Sequence, residues 1–289
     1  MAVVQTELAP YAWSASFIDC QCCCCCPYLN GFSKDILSEA SSSPGIRLVS
    51  PWTAPFAEVI GRSFSGTPTS DPELGFHWML GEELSDFNSK TRQRIVRGIA
   101  TCVGRASVCE TTMCCGKNPT AILGDYGDGG ELRAVLIAKR LSGPPPACSE
   151  ACSYCGVCCC SGTLGCEVCG TWCCAPGCSE TMDRTDLGVA LMKRFHKTYA
   201  PGEHVYVVAM AVSPEHQGKG SCSRLMRLAS SYADKHGLPA YLECSGDKNP
   251  AIYGRYGYTV TETASLQLKK PGAPAFDKVH AMVRSTGGK

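Results

Sequence analysis

The stretch that decides the reading is Ala211-Val212-Ser213-Pro214-Glu215-His216-Gln217-Gly218-Lys219-Gly220-Ser221-Cys222-Ser223-Arg224-Leu225. An apolar run (Val205, Val207, Val208, Ala209, Met210) leads into a short polar loop with two glycines. The loop opens at once into an amphipathic helix, with Leu225, Met226, Ala229, Tyr232 and Ala233 recurring at three and four residues. Gly237 stands where a left-handed residue closes a helix, and Pro239 prevents continuation. Strand, glycine loop and helix N-terminus make an anion site, because unpaired N–H groups and the helix dipole converge on one place. A dinucleotide loop fits less well, since Gly218-Lys219-Gly220-Ser221-Cys222-Ser223 lacks the third glycine. A nucleotide P-loop needs Gly-Lys-Ser/Thr, and here Lys219 is followed by Gly220.

Downstream, Leu238 to Cys244 reads as a buried strand. Asn249-Pro250-Ala251-Ile252-Tyr253-Gly254-Arg255-Tyr256-Gly257-Tyr258 then reads as a short helix, with Asn249 expected at its start, followed by a turn. The two motifs in this order resemble those of the GNAT superfamily of N-acetyltransferases. Gln217 to Cys222 matches its Gln/Arg-x-x-Gly-x-Gly/Ala loop, with cysteine in place of the last small residue, and Tyr253 to Tyr258 matches its Tyr-x-x-x-Gly-Phe/Tyr.

The resemblance implies an α/β (α+β) fold: a mixed, mostly antiparallel sheet of about seven strands flanked by helices. It implies acetyl-CoA as cosubstrate, with the pyrophosphate held by Gln217, Gly218, Lys219, Gly220, Ser221 and Cys222, and Asn249 near the cofactor. The pantetheine arm would lie between two splayed parallel strands and bond to the main chain of Met210, Ala211 and Val212. One of those N–H groups would polarise the acetyl carbonyl. Tyr253 matches the general acid that protonates the leaving thiolate, a transfer that a tyrosine near pKa 10 and a thiol near 8.5 permit. Glu243 is the preferred general base, with His204, Glu215 and the pair His216/His77 as the other candidates. Cys222, at a helix N-terminus, is expected to be biased toward thiolate and to crowd the cofactor.

The other elements follow from patterning: a strand at 46–50, a helix at 54–64, helical material over 74–106, and a hairpin of 121–125 with 131–141 turning at Gly127-Asp128-Gly129-Gly130. A helix at 185–199 and strands at 258–268 and 279–284 complete the set. The domain reading is a flexible tail over 1–45, then an acetyltransferase domain over 46–285 with a cysteine-rich insertion at 142–182.

The chain has 289 residues, 44% hydrophobic and 18% charged, with a formal net charge of +1, enough apolar material for one substantial core. This near-neutral balance gives no electrostatic reason to expect nucleic acid. No window approaches a spanning apolar length, and the start lacks a basic n-region and long h-region, so the expected location is the cytoplasm or nucleus.

Of 23 cysteines, six fall within 20–26 and eleven within 148–178. Cys152, Cys155, Cys166 and Cys169 have the knuckle spacing of a tetrahedral zinc site, though the redundancy of thiols also suits metal clusters or a tolerated insertion. The N-terminal run could be S-acylated, the one route by which a membrane partner enters. The acceptor expectation is a small cationic amine, met by Phe64, Asp71, His77 and Trp78. The competing class is a non-catalytic acyl-CoA-binding or metal-binding protein on the same fold.

Overall fold

The computed structural model describes residues 30–40, 44–51, 53–67, 73–81, 119–143, 178–268 and 275–287, with a few single positions between 70 and 96. In chain order these form α1 (Gly31–Ser38), β1 (Ile46–Leu48), α2 (Ala54–Ser65), α3 (Leu74–Leu80), β2 (Thr120–Tyr126) and β3 (Leu132–Leu141). Then follow α4 (Cys178–Tyr199), β4 (His204–Val212), a 3-10 turn (Pro214–His216), α5 (Ser221–Lys235) and β5 (Ala240–Ser245). The chain ends in α6 (Lys248–Gly254), β6 (Thr259–Leu266) and β7 (Phe276–Arg284).

The strands form one seven-stranded sheet in the order β1-β2-β3-β4-β5-β7-β6. Every neighbouring pair is antiparallel except β4 and β5, which run parallel with α5 as their crossover. Their register covers only Val205–Val207 against Ala240–Leu242, although β4 runs on to Val212. Beyond Val207 the two strands part, and that opening positions everything below.

A β-bulge after Val207 explains the layering, because the extra residue switches which side of the sheet the following odd-numbered residues face. Val205 and Val207 join the core beneath α1 and α5 with Leu225, Met226, Ala229 and Tyr232. Ala209 and Ala211 face the layer under α2, with Phe56, Val59 and Ile60. A third cluster joins Phe195 of α4 to Tyr241, Val279 and Ala281. At roughly 25 cal/mol per Å² of apolar surface removed from water, these three clusters hold the helices on the sheet.

Helix α1 lies within the stretch read from sequence as tail. Asn30 caps it by accepting from the Ser33 N–H at 2.9 Å and donates to the Thr120 carbonyl at 2.8 Å. Phe32 and Ile36, one helical turn apart, are buried, and Phe32 meets Tyr232 edge-on. Helix α4 starts at Cys178, ahead of the expected Thr185. The N-terminal cysteine run, Asp71, most of 82–118, and the metal candidates Cys152, Cys155, Cys166 and Cys169 lie outside the described residues. Among the described residues no group of histidine, cysteine, aspartate and glutamate could hold a metal ion, and no helix is long and apolar enough to cross a membrane.

Candidate functional site

The glycine loop takes the conformation its residues demand. Gly218 and Gly220 have φ of 74° and 90°, values open to glycine at no steric cost, and Gly220 is the left-handed N-cap of α5. No side chain caps that helix, so its first N–H groups lack a side-chain acceptor at a positive dipole end. Gln217, Gly218, Lys219 and Gly220 are exposed, and a side chain at Gly218 would meet nothing within 4 Å. The cradle is open and shaped for an anion. Ser221 is buried.

Cys222 does not behave as the sequence suggests. Its side chain turns from the loop into the core beside Tyr253 and Tyr256, and burial raises its pKa despite a hydrogen bond with Tyr256. The expected thiolate bias is therefore corrected: desolvation outweighs the helix dipole.

Where β4 parts from β5, strand alternation decides which peptide groups face the opening. The Ser213 N–H donates to the Arg133 carbonyl of β3, and Ala134 lies opposite Val212. Peptide groups of 211 and 213 therefore face β3, while those of 210 and 212 face the gap. Ala211 is thus corrected as a main-chain contact, because its N–H is committed to the sheet. The Val212 N–H donates to Ser63 Oγ at 3.2 Å, and the Val212 carbonyl accepts from Gln217 Nε2 at 3.4 Å. Gln217 therefore ties the anion loop to the end of the opened strand.

Glu243 lies on β5, partly buried, on the face shared with Tyr241. Tyr241 OH donates to its Oε1 at 2.8 Å. Burial pushes the Glu243 carboxyl up to about 7, against the opposing pull of hydrogen bonds from Tyr241 and Tyr206. The two tyrosines are braced by a buried histidine pair, with His196 Nε2 and His204 Nε2 2.8 Å apart and the His196 ring 4.7 and 4.9 Å from those of Tyr206 and Tyr241. Burial, the facing His204 and Lys139 drive His196 down to about 3, and burial lowers His204 as well. With Nδ1 on the Gly202 carbonyl and Nε2 on His196, both ring nitrogens of His204 are engaged, which argues against it as the base.

Glu215 is removed for the opposite reason. Burial raises its pKa, but the Ser213 hydroxyl at 2.6 Å, its own backbone N–H and Arg62 at 2.6 Å outweigh that and hold it at about 2. His216 sits in the 3-10 turn near Glu131, whereas His77 sits on α3 near Arg92, so they form no pair.

Tyr253 rises from α6 against Cys222 and Cys244, partly buried, with its pKa raised by burial and by those two thiols, Tyr258 and Glu73. The phenol is therefore protonated at neutral pH. Asn249 is not the N-cap: Asp247 is, and Asn249 lies one residue inside α6, where its Nδ2 donates to the Ser245 carbonyl at 2.9 Å. That bond fixes α6, and with it Tyr253, to the end of β5.

Sequence reasoning missed Glu73. It caps α3 by accepting from the Phe76 N–H at 2.7 Å, and the Gly75 N–H donates to Ser245 Oγ at 3.1 Å. Helix α3 is thereby moored to the C-terminal end of β5. Burial raises the Glu73 pKa, opposed by hydrogen bonds from the Phe76 and Gly75 backbone. An acidic residue directly before a helical run was the available signal, since carboxylates favour helix N-termini.

An open anion cradle, a parted parallel strand pair and a tyrosine on the following short helix are now in place. The family model for the acetyltransferase (GNAT) family matches residues 183–258, from α4 through the turn after α6. Over these residues the chain is similar to the GNAT family. The chain is also 33% identical over 69 residues to an uncharacterised N-acetyltransferase of Schizosaccharomyces pombe, a match covering 24% of this chain and 28% of that relative. The match thus spans under a third of the relative's length. Among solved structures, a histone acetyltransferase HPA2 and related acetyltransferase from Corynebacterium glutamicum aligns over 85% of this chain and 97% of its own, at 14% identity and a TM-score of 0.44. An arylalkylamine N-acetyltransferase 2 from Aedes aegypti aligns over 83% and 97%, at 9% identity and a TM-score of 0.43.

Proposed function

We propose that the protein is an acetyl-CoA-dependent N-acetyltransferase that passes the acetyl group directly to an amine, on a small molecule. The observation that carries this reading is the opening between β4 and β5 beyond Val207, bounded by the Gly218–Gly220 cradle at one end and by Tyr253 and Glu243. The residues present fit the cosubstrate. The cradle offers N–H groups to a pyrophosphate, and the peptide groups of Met210 and Val212 face the gap an extended arm would fill. The Val212 N–H donates to Ser63 Oγ, and a ligand in the gap would compete with that hydroxyl for it.

Two carboxyl and phenol groups with opposite tendencies supply the proton chemistry. Glu243, titrating near neutrality, takes a proton from the incoming ammonium, freeing the lone pair that attacks the thioester carbonyl. Tyr253, held protonated, donates to the departing thiolate. Supporting this division, the two groups lie on opposite faces of β5: Glu243 with Tyr241, and Tyr253 with Leu242 and Cys244.

Calorimetry with acetyl-CoA tests the reading. The wild type should bind in the micromolar range, whereas Gly220→Glu, which strains a φ of 90° and puts a carboxylate in the cradle, should abolish binding. Equal binding by both would refute the cofactor assignment.

A further inference from the structure

Helix α3 brings a second carboxylate to the end of β5, and the proposed reaction has not used it. The hydrogen bond from Gly75 N–H to Ser245 Oγ sets α3 across the strand end. A Cβ at Gly75 would stand 3.2 Å from Ser245 Oγ and 3.4 Å from Glu73 Oε2, so hydroxyl and carboxylate flank one backbone position. Ser245 and Glu243, two residues apart on β5, point to one face. Glu73 and Glu243 therefore bracket the same end of the opening. Among the described residues neither carboxylate is in an ion pair, and Arg194, Arg62 and Lys278 are paired to other acids. Glu73 accepts from the Phe76 N–H through Oε2, and the Gly75 N–H also bonds to its carboxylate. An aromatic wall adjoins it: Phe76, whose N–H the carboxylate accepts from, meets Phe64 of α2 edge-on at 6.3 Å.

Resting on the N-acetyltransferase reading, we infer that Glu73 is the anchor for the acceptor's ammonium, and that the acceptor is an amine carrying an aromatic ring. Glu73 holds the ammonium, whose charge favours the carboxylate against the burial that raises its pKa, while Glu243 receives the proton. The amine nitrogen then forms the bond to the acetyl carbon, the carbon–sulfur bond breaks, the thiolate leaves with the proton from Tyr253, and the second proton of the nitrogen returns to the Tyr253 phenolate. Glu73 is a positioning residue in this scheme. Its removal weakens acceptor binding without changing the group that titrates.

The test follows thiol release from acetyl-CoA with 2-phenylethylamine as the probe, in the full chain. Glu73→Gln keeps an oxygen that caps α3, so the helix stays moored. The expected result is a KM for the amine raised about 10- to 100-fold, with kcat within about threefold. The pH profile of kcat and the acetyl-CoA affinity should stay as in wild type. Glu243→Gln should instead cut kcat and remove the acidic limb. An unchanged KM in Glu73→Gln, or a fall in kcat as large as that of Glu243→Gln, overturns the inference. So does a wild type that binds acetyl-CoA yet releases no thiol with this probe, an outcome that leaves the cofactor reading standing. A wild type that fails to bind acetyl-CoA overturns both.

Discussion

Removing one hydroxyl should move the pH optimum of this protein without touching its cofactor site. Tyr241 donates to Glu243 Oε1 at 2.8 Å, and its ring is buried against His196 and Tyr206. Tyr241→Phe preserves the ring and deletes the donor. A hydrogen bond to a charged group contributes about 1.5–3 kcal/mol, and all of it favours the ionised carboxylate. At about 1.4 kcal/mol per unit, the Glu243 pKa should rise by about 1–2 units, from about 7 toward about 8–9. At pH 7 the ionised fraction falls from about half to about a tenth or less, so kcat/KM should drop about fivefold or more and recover above pH 9. The assay is a profile of kcat/KM from pH 5.5 to 10 with the same amine for wild type and variant. An acidic limb that stays near 7 or shifts downward, or a loss of equal size at every pH, would refute the assignment of Glu243 as base.

Other outcomes follow from the same geometry. Tyr253→Phe should lower kcat about 100-fold or more while acetyl-CoA affinity by calorimetry stays within about twofold, because the phenol acts on the leaving group. Glu243→Gln should raise stability at pH 8 by up to about 3 kcal/mol, since the folded pKa of about 7 exceeds the ordinary carboxylate value; the folded state bears the ionisation cost as pH rises from about 4.5 to 7. Thermal melts should therefore coincide below pH 4.5, diverge as pH rises to about 7 and stay apart above it. Arg284 is buried, with Asp234 at 2.6 and 2.7 Å and the Tyr256 carbonyl at 2.9 Å. Arg284→Ala should cost about 2–3 kcal/mol in urea unfolding, below the figure for a fully buried pair because Asp234 is half exposed.

What the sequence revealed and what it hid divide by range. Local rules placed Gly220 at the α5 N-terminus and Gly237 at its end, since a positive φ is a property of one residue and its neighbours. The same rules misplaced the start of α6, where Asp247 and Asn249 both resemble caps and only the bond from Asn249 to the Ser245 carbonyl decides between them. Strand alternation could have excluded Ala211 as soon as Met210 and Val212 were chosen, because adjacent peptide groups point to opposite edges. Helix α1 was hidden because its evidence is tertiary: eight residues are too few to be stable alone, and Phe32 and Ile36 acquire meaning only against Tyr232 and the sheet. The partners of Glu243 were invisible for the same reason. Tyr206 lies on another strand, and nothing in its sequence position indicates that it meets a carboxylate beyond the crossover.

The three-residue register of β4 with β5 gives the sheet a seam. Four strands lie on one side and three on the other, sewn together by Val205–Val207 against Ala240–Leu242. A ligand in the gap would add the missing rungs and join the halves, so occupancy is also reinforcement. Saturation at 100 times Kd would stabilise the fold by about 2.7 kcal/mol. Slowed amide exchange should concentrate at Met210 and along the far end of β5, where the unliganded sheet is open.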